Sequence, residues 1–184
     1  MCMLKFITSN EHKYLEVSVA FEKVGLPLSW YRKKYEEIQA DDNAVICRDS
    51  CIKLGKDIEQ PFFIDDTGLY IEQLNGFPGP YASYVQDTIG NTGIIKLASG
   101  SNAYFKTVIS LMQDNKVQQF TGILKGTIAD KENNGNKFGY DPIFIPDGYD
   151  LALSQLSPAE KNLISHRGKA INNLINFLIL NNIR

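Results

Sequence analysis

The sequence predicts an α/β fold with a mixed sheet in one domain, and three observations carry that prediction. Strand-like and helix-like segments alternate through the N-terminal third, which is the pattern of parallel βαβ units. A long β-hairpin follows, an antiparallel unit that a purely parallel sheet would lack. The C-terminal stretch then returns to a helical period behind a strong start signal. No repeat, low-complexity tract or linker interrupts the 184 residues, so a single domain over 1–184 is expected.

The elements follow in order. Residues 4–8 read as a strand. Over 11–25 the period becomes helical, with Tyr14, Val17, Phe21 and Val24 on one face and Gly25 and Pro27 ending the run. A short strand near Leu28–Arg32 leads into the polar stretch YEEIQADD (35–42), and 43–57 carries a weaker helical pattern. PFFIDDTG (61–68) reads as a buried strand closing on two carboxylates, and LYIEQLNGFPGPY (69–81) as a strand running into a Gly/Pro turn. Short helices are expected over 81–99. In 103–112 the apolar residues Ala103, Phe105, Ile109 and Leu111 alternate, and in 117–130 so do Phe120, Leu124 and Ile128. With Asp114-Asn115 between them, the two runs form a hairpin with one buried face. KENNGNKFGYDP (131–142) reads as a loop. Ser157-Pro158-Ala159-Glu160 is a capping box that opens the last helix, whose stripe is Leu163, Ile164, Ala170, Ile171, Leu174, Ile175 and Leu178. Gly168 costs that helix about 1 kcal/mol relative to alanine, which points to a close backbone approach or a break.

Composition removes several function classes. Hydrophobic content is 43%, charged content 22% and net charge −2, ordinary for a globule and without a basic footprint for nucleic acid. No apolar run reaches the roughly 18 residues of a membrane span, and MCMLKF turns polar too early for a signal peptide. The three cysteines, Cys2, Cys47 and Cys51, contain no C-x-x-C pair. Cys47 and Cys51 are placed to share a metal on a helix, or are ordinary part-buried thiols; an odd, unpatterned count fits a reducing, cytoplasmic setting.

Five stretches could carry chemistry. In FITSNEHK (6–13) a strand ends on Thr8-Ser9-Asn10 and Lys13 enters the first helical turn. Free N–H groups at that helix start, with the positive dipole end and an ammonium, make an anion cradle; the bland alternative is a Ser9 or Asn10 cap and a solvated lysine. In FFIDDTG, Asp65 and Asp66 sit at a strand end. Adjacent strand residues point to opposite faces, so both serve one pocket only if Thr67-Gly68 bends the chain. One carboxylate could hold a hard cation and one could take a proton from water; the alternative is a simple turn. Glu36 and Glu37 offer a further acid, or a solvated loop. On the last helix Arg167 lies on or beside the apolar stripe, so it needs an internal carboxylate or a ligand, with His166, Lys161 and Lys169 nearby. In KFGYDPIF, Phe138 or Tyr140 around Gly139 could stack on a base and Asp141 bond its edge, or the aromatics belong to the core.

The chain lacks the Walker A, G-x-G-x-x-G, G-x-S-x-G and H-E-x-x-H patterns. What remains is cationic groups near both ends and acids between. TSNEHK (8–13), EIQADD (37–42), FIDDTGLYIEQLNGFPGPYASYV (63–85), FGYDPIFIP (138–146) and SPAEKNLISHRGKA (157–170) together resemble the inosine triphosphate pyrophosphatases, in the same order and over most of the chain. The resemblance implies an elongated mixed sheet flanked by helices, two lobes with a central cleft, a homodimer, a need for magnesium (Mg2+), and hydrolysis of ITP, dITP and XTP to monophosphate and pyrophosphate. It implies phosphate contacts for Thr8, Ser9, Asn10 and Lys13, metal ligation by Glu37 and Asp66, and a general base in Asp66 with Asp65 in support. It further implies a substrate contact for Thr67 and nucleoside contacts for Phe138, Gly139, Tyr140, Asp141, Lys161, His166 and Arg167. Two departures stand out: Ser9 replaces a frequent glycine, and the lysine many members carry after the Glu37 segment has only Arg48, Lys53 and Lys56 as counterparts. A haloacid-dehalogenase-type phosphatase, whose motif needs a residue between the aspartates, and a non-catalytic nucleotide-binding module are the rival readings.

Overall fold

A computed structural model describes residues 3–135 and 138–182; Cys2 lies outside them. Strand β1 (Leu4–Ile7) is followed by α1 (Glu11–Lys23), β2 (Leu28–Tyr31), α2 (Asn43–Leu54) and β3 (Phe62–Ile71). Then come the two-residue β4 (Pro78–Gly79), α3 (Ala82–Thr88), α4 (Gly90–Ala98), the hairpin β5 (Asn102–Gln113) and β6 (Lys116–Ile128), β7 (Phe144–Pro146), α5 (Pro158–Ile164) and α6 (His166–Leu180). The strands form one sheet in the order β2-β1-β3-β5-β6-β7, with β4 added to β3. Pairing is parallel across β2, β1 and β3 and antiparallel from β3 to β7, the mixed sheet expected.

Each helix covers a face that its residue pattern makes apolar. On one side, α1 and α6 lay Val17, Phe21, Ala170, Ile171 and Leu174 over Phe6, Phe63, Ile109 and Leu111. On the other, α2 packs Cys47, Cys51 and Leu54 over Ile7, Ile64, Val108 and Met112. A third core forms toward the other end of the hairpin, where Leu69, Ile71, Phe105 and Leu124 meet α3, α4 and Phe144. The sheet therefore carries two lobes. Between them lies an interruption: β1 pairs with β3 only at Phe62 and Phe63, and β4 takes over at Leu69 and Tyr70. Residues 64–68 have no strand on that edge, and this gap opens the cleft.

Three expectations need correction, and the thiol alternative for the cysteines is borne out. The strands expected on either side of Thr67-Gly68 are one continuous β3 with no bend. Ten residues of β3 stay paired to β5, which holds the chain straight. The hairpin is buried on two faces near its turn, because α2 covers Val108, Ser110 and Met112 while α6 covers Ile109 and Leu111. The last helix is two helices: Ser165 ends α5 and caps α6, its side chain accepting from Gly168 N at 3.0 Å. A Cβ on Gly168 would sit 2.0 Å from Asn162 O, so the break and the close approach both occur. Finally, Cys47 and Cys51 are fully buried thiols directed at the carbonyls of Val108 and Ser110, and burial pushes Cys51 up to about 12; neither is a metal thiolate. The Asp114-Asn115 turn has the positive φ pair that a two-residue hairpin demands.

Candidate active site

The gap in the sheet edge opens into a cleft of about 510 Å³, within the usual range for small-molecule sites. Its walls include every position that the resemblance implies for the site, Thr8, Ser9, Asn10, Lys13, Glu37, Asp65, Asp66, Thr67, Phe138, Gly139, Tyr140, Asp141, Lys161, His166 and Arg167, but not Glu36 or Lys169. A smaller groove of about 170 Å³ between α1 and the α5–α6 pair, lined by Glu16, shares only Arg167 with the cleft and is largely apolar.

At one end, the loop after β1 is pinned by Trp30 Nε1, which donates to Thr8 O at 2.9 Å, and by Thr8 N, which donates to Tyr31 O at 3.3 Å. Asn10 is the α1 cap, its side chain accepting from Lys13 N at 3.3 Å, and Asn10 N donates to Thr8 Oγ1 at 3.1 Å. The Asn10 cap is therefore present, while Lys13 is paired with Asp65 and not merely solvated.

Alternation along β3 separates the two aspartates. Asp65 faces the α1 and α6 side, where Lys13 Nζ reaches Oδ1 at 3.0 Å and Arg167 Nε reaches Oδ2 at 3.2 Å. Burial pushes the Asp65 carboxyl up, but Lys13 and then Arg167 outweigh it and hold it below the ordinary range. Asp66 faces the α2 side, where the fully buried Asn43 donates to Oδ2 at 2.6 Å and Thr67 N donates to Oδ1 at 2.8 Å. Tyr70 donates its hydroxyl to Asn43 Oδ1, which fixes the amide with its NH2 toward Asp66. A Cβ on Gly68 would lie 2.8 Å from that same oxygen, so only glycine leaves room for Asn43. Asp66 is raised by burial despite Lys13 and Asn43, and Glu37 is raised by burial and then by Asp66. Both faces of β3 reach the cleft because no neighbouring strand closes its edge there.

At the opposite wall, Glu16 of α1 bridges two cations. Its Oε1 receives Lys161 Nζ at 2.8 Å and its Oε2 receives Arg167 Nη1. Lys161 also pairs with Asp141 at 2.7 Å and stands 5.4 Å over the Phe138 ring. Burial pushes Lys161 down, yet Asp141 and Glu16 more than reverse it and keep the ammonium charged. Tyr140 is a core residue that donates to Ala82 O at 2.8 Å, leaving Phe138 as the half-exposed aromatic of this loop.

A chain of hydroxyls runs beneath. Arg167 Nη2 donates to Thr67 Oγ1 at 3.4 Å, Thr67 and Thr107 are 2.7 Å apart, and Thr107 is 2.6 Å from His166 Nδ1. A guanidinium can only donate, so Thr67 Oγ1 accepts from Arg167, and the two hydroxyls link it to His166. Burial, then the charges of Arg167, Lys161 and Lys13, hold His166 well below the usual imidazole value, so the ring is neutral.

The buried arginine thus has its internal carboxylates, Asp65 and Glu16. The sequence did not single out Glu16, Asn43 or the cleft-lining Lys33 and Lys34. Glu16 lies one helical turn beyond Lys13, which is the signal that could have found it. Arg48, Lys53 and Lys56 do not line the cleft, and Lys53 pairs with Asp49 on its own helix at 2.7 Å. Among the described residues no group of three or more His, Cys, Asp or Glu is placed to hold a metal. Glu37, raised by burial and by Asp66, and Asp66, raised by burial, are nevertheless two oxygen-donor acids of the cleft without a salt bridge among the described residues, a fit for a hard ion that keeps water and phosphate as its other ligands.

Comparison with known proteins agrees. The Coxiella burnetii HAM1 protein superposes with a TM-score of 0.79 at 26% identity, covering 97% of this chain and 100% of that one. A Ham1 protein from Staphylococcus aureus gives 0.73 at 27% identity, covering 96% and 99%. In sequence, the dITP/XTP pyrophosphatase of Thermococcus kodakarensis is 42% identical over 95% of this chain and 96% of its own. That of Pyrococcus horikoshii is 41% identical over 96% of each. With the Ham1 family model matching residues 4–177 as well, the chain belongs to the Ham1 family.

Proposed function

We propose that this chain is a nucleoside-triphosphate pyrophosphatase that hydrolyses ITP, dITP and XTP to the monophosphate and pyrophosphate, clearing deaminated purines from the nucleotide pool. The observation that carries it is the division of labour on β3: Asp65 is bound to Lys13 and Arg167, while Asp66, one residue on, faces the cleft beside Glu37. The names of the archaeal relatives supply the substrate class.

The N–H groups at the start of α1, with Lys13, receive the triphosphate. A water attacks the α-phosphorus, the bond to the bridging oxygen breaks, and pyrophosphate leaves with that oxygen. Asp66, held by Asn43 and Thr67 N, orients the water and takes its proton. Magnesium held by Glu37 and Asp66 would supply positive charge against the phosphates. Phe138, half-exposed in the cleft wall beside Lys161, borders the base. In this reading the neutral His166 carries its proton on Nε2 and donates to the 6-oxo group of hypoxanthine or xanthine; adenine offers another donor there, so a polar group is left unpaired against ATP. A phosphatase with Asp65 as nucleophile is disfavoured, because both Asp65 oxygens are engaged by cations. The homodimer belongs to the same proposal on the strength of the resemblance.

The test is a nucleotide panel with Mg2+, scored for monophosphate and pyrophosphate, on the wild type and on Asp66→Asn. ITP, dITP and XTP should yield pyrophosphate, ATP much less, and both EDTA and Asp66→Asn should stop turnover. Equal cleavage of ATP and ITP, or none of ITP and XTP, refutes the reading; orthophosphate as product supports a phosphatase, and an Asp66→Asn variant with full turnover removes Asp66 from the chemistry.

A further inference from the structure

We propose that Lys33 and Lys34, on the irregular segment between β2 and α2, form the subsite for the terminal phosphates of the substrate. The inference rests on the pyrophosphatase reading and assigns residues to the part of that site which α2 leaves without a cation. Charge is the first ground. The buried cations of the cleft wall, Lys161 and Arg167, together with Lys13, are matched by three carboxylates, Glu16, Asp65 and Asp141. That network is neutral before any ligand arrives. A Mg2+ held by Glu37 and Asp66 would balance those two acids, so the site still has no surplus positive charge for a polyphosphate tail unless further cations face it. Among the described residues, the cleft-lining cations that make no ion pair are Lys33 and Lys34.

Position is the second ground. Tyr31, two residues before Lys33, accepts from Thr8 N, and Trp30 donates to Thr8 O. The segment therefore leaves β2 alongside the Thr8–Asn10 loop, and Lys33 and Lys34 line the same cleft. A triphosphate received by that loop and Lys13 has this segment as its neighbour. Lys33 is half-buried and Lys34 exposed, so their ammonium groups keep water until a phosphate replaces it. Arg48, Lys53 and Lys56 cannot serve without leaving their present places outside the cleft.

The experiment uses the full chain, the double variant Lys33→Gln/Lys34→Gln, and Lys33→Arg/Lys34→Arg as the conservative control. ITP is the substrate; inorganic pyrophosphate and IMP are the inhibitors. The glutamine pair should raise the KM for ITP and the inhibition constant for pyrophosphate roughly tenfold, and flatten their salt dependence. IMP inhibition should stay within about twofold, and the arginine pair should restore both constants. An unchanged pyrophosphate constant with a normal unfolding transition overturns the assignment. So does an equal loss for IMP, which marks general attraction in place of a tail subsite. A wild type that leaves ITP and XTP intact removes the pyrophosphatase reading itself, and this proposal with it.

Discussion

Replacing Asp65 by asparagine should damage the fold, whereas the same change at Asp66 should damage chiefly the chemistry. Asp65 is 3% exposed and takes ion pairs from Lys13 at 3.0 Å and Arg167 at 3.2 Å. Removing one partner of a buried pair costs about 3–5 kcal/mol. The Lys13 side chain is 20% exposed and regains water, and Arg167 keeps Glu16, so the lower end, about 3 kcal/mol, applies. For a chain of this size that is a fall of roughly 6–12 °C in Tm, out of a total stability of about 5–15 kcal/mol. Asp66 makes no ion pair and its carboxyl is raised, so its replacement removes no salt bridge; the asparagine NH2 meets one of its two donors, Asn43 or Thr67 N, for a smaller loss of about 1–2 kcal/mol. Urea unfolding of both variants, with pyrophosphate release in parallel, makes the comparison. The pH dependence adds a sign check. The folded Asp65 carboxyl lies below its unfolded value of about 3.9, so its contribution is present above that pH and lost as pH falls through the folded value. The gap between wild type and Asp65→Asn should therefore close in acid. Equal stability of Asp65→Asn and wild type at neutral pH, or a larger loss for Asp66→Asn, would mean that the two acids have been assigned to the wrong tasks.

Two further outcomes are expected. Buried, neutral His166 should make stability fall as pH drops below the unfolded imidazole value of about 6.5, by up to about 1.4 kcal/mol per unit, since only the unfolded chain takes up the proton. Urea midpoints across that range, compared with His166→Gln, measure it, and an identical slope in both proteins counts against a neutral histidine. Asn43→Ala frees Asp66 from its 2.6 Å donor and should lower kcat roughly tenfold with little change in KM; steady-state kinetics in which KM rises and kcat holds would contradict the positioning role.

Much of this molecule was legible in local pattern. The start of α1, the two acids after an apolar run, the hairpin with Asp114-Asn115 and the capping box at Ser157 are each set by neighbours a few residues apart, and each stands where expected. What escaped depends on distant partners. Glu16 meets Arg167 across 151 positions of sequence, and Asn43 meets Asp66 across 23. The only local sign at Glu16 is its place one helical turn beyond Lys13, a weak signal that many solvated helical glutamates share. The second buried face of β5 was hidden for a similar reason: α2 carries Asn43, Ser50 and two cysteines on its inner side, so its apolar period is weak although it is a core helix. The break at Ser165 was masked because the apolar stripe resumes in phase beyond it. Arg167 was flagged correctly as needing an anion, and the carboxylates that supply it come from α1 and β3.

The ladder between β3 and β5 has a meaning beyond holding two strands together. A slip of one position along it would turn Asp66 toward Lys13 and Arg167 and Asp65 toward Asn43 and Glu37, exchanging scaffold and reagent with no change in composition. Ten consecutive cross-strand partners forbid that slip. An inserted or deleted residue in this strand is thus a more severe lesion for this molecule than most substitutions in its cleft.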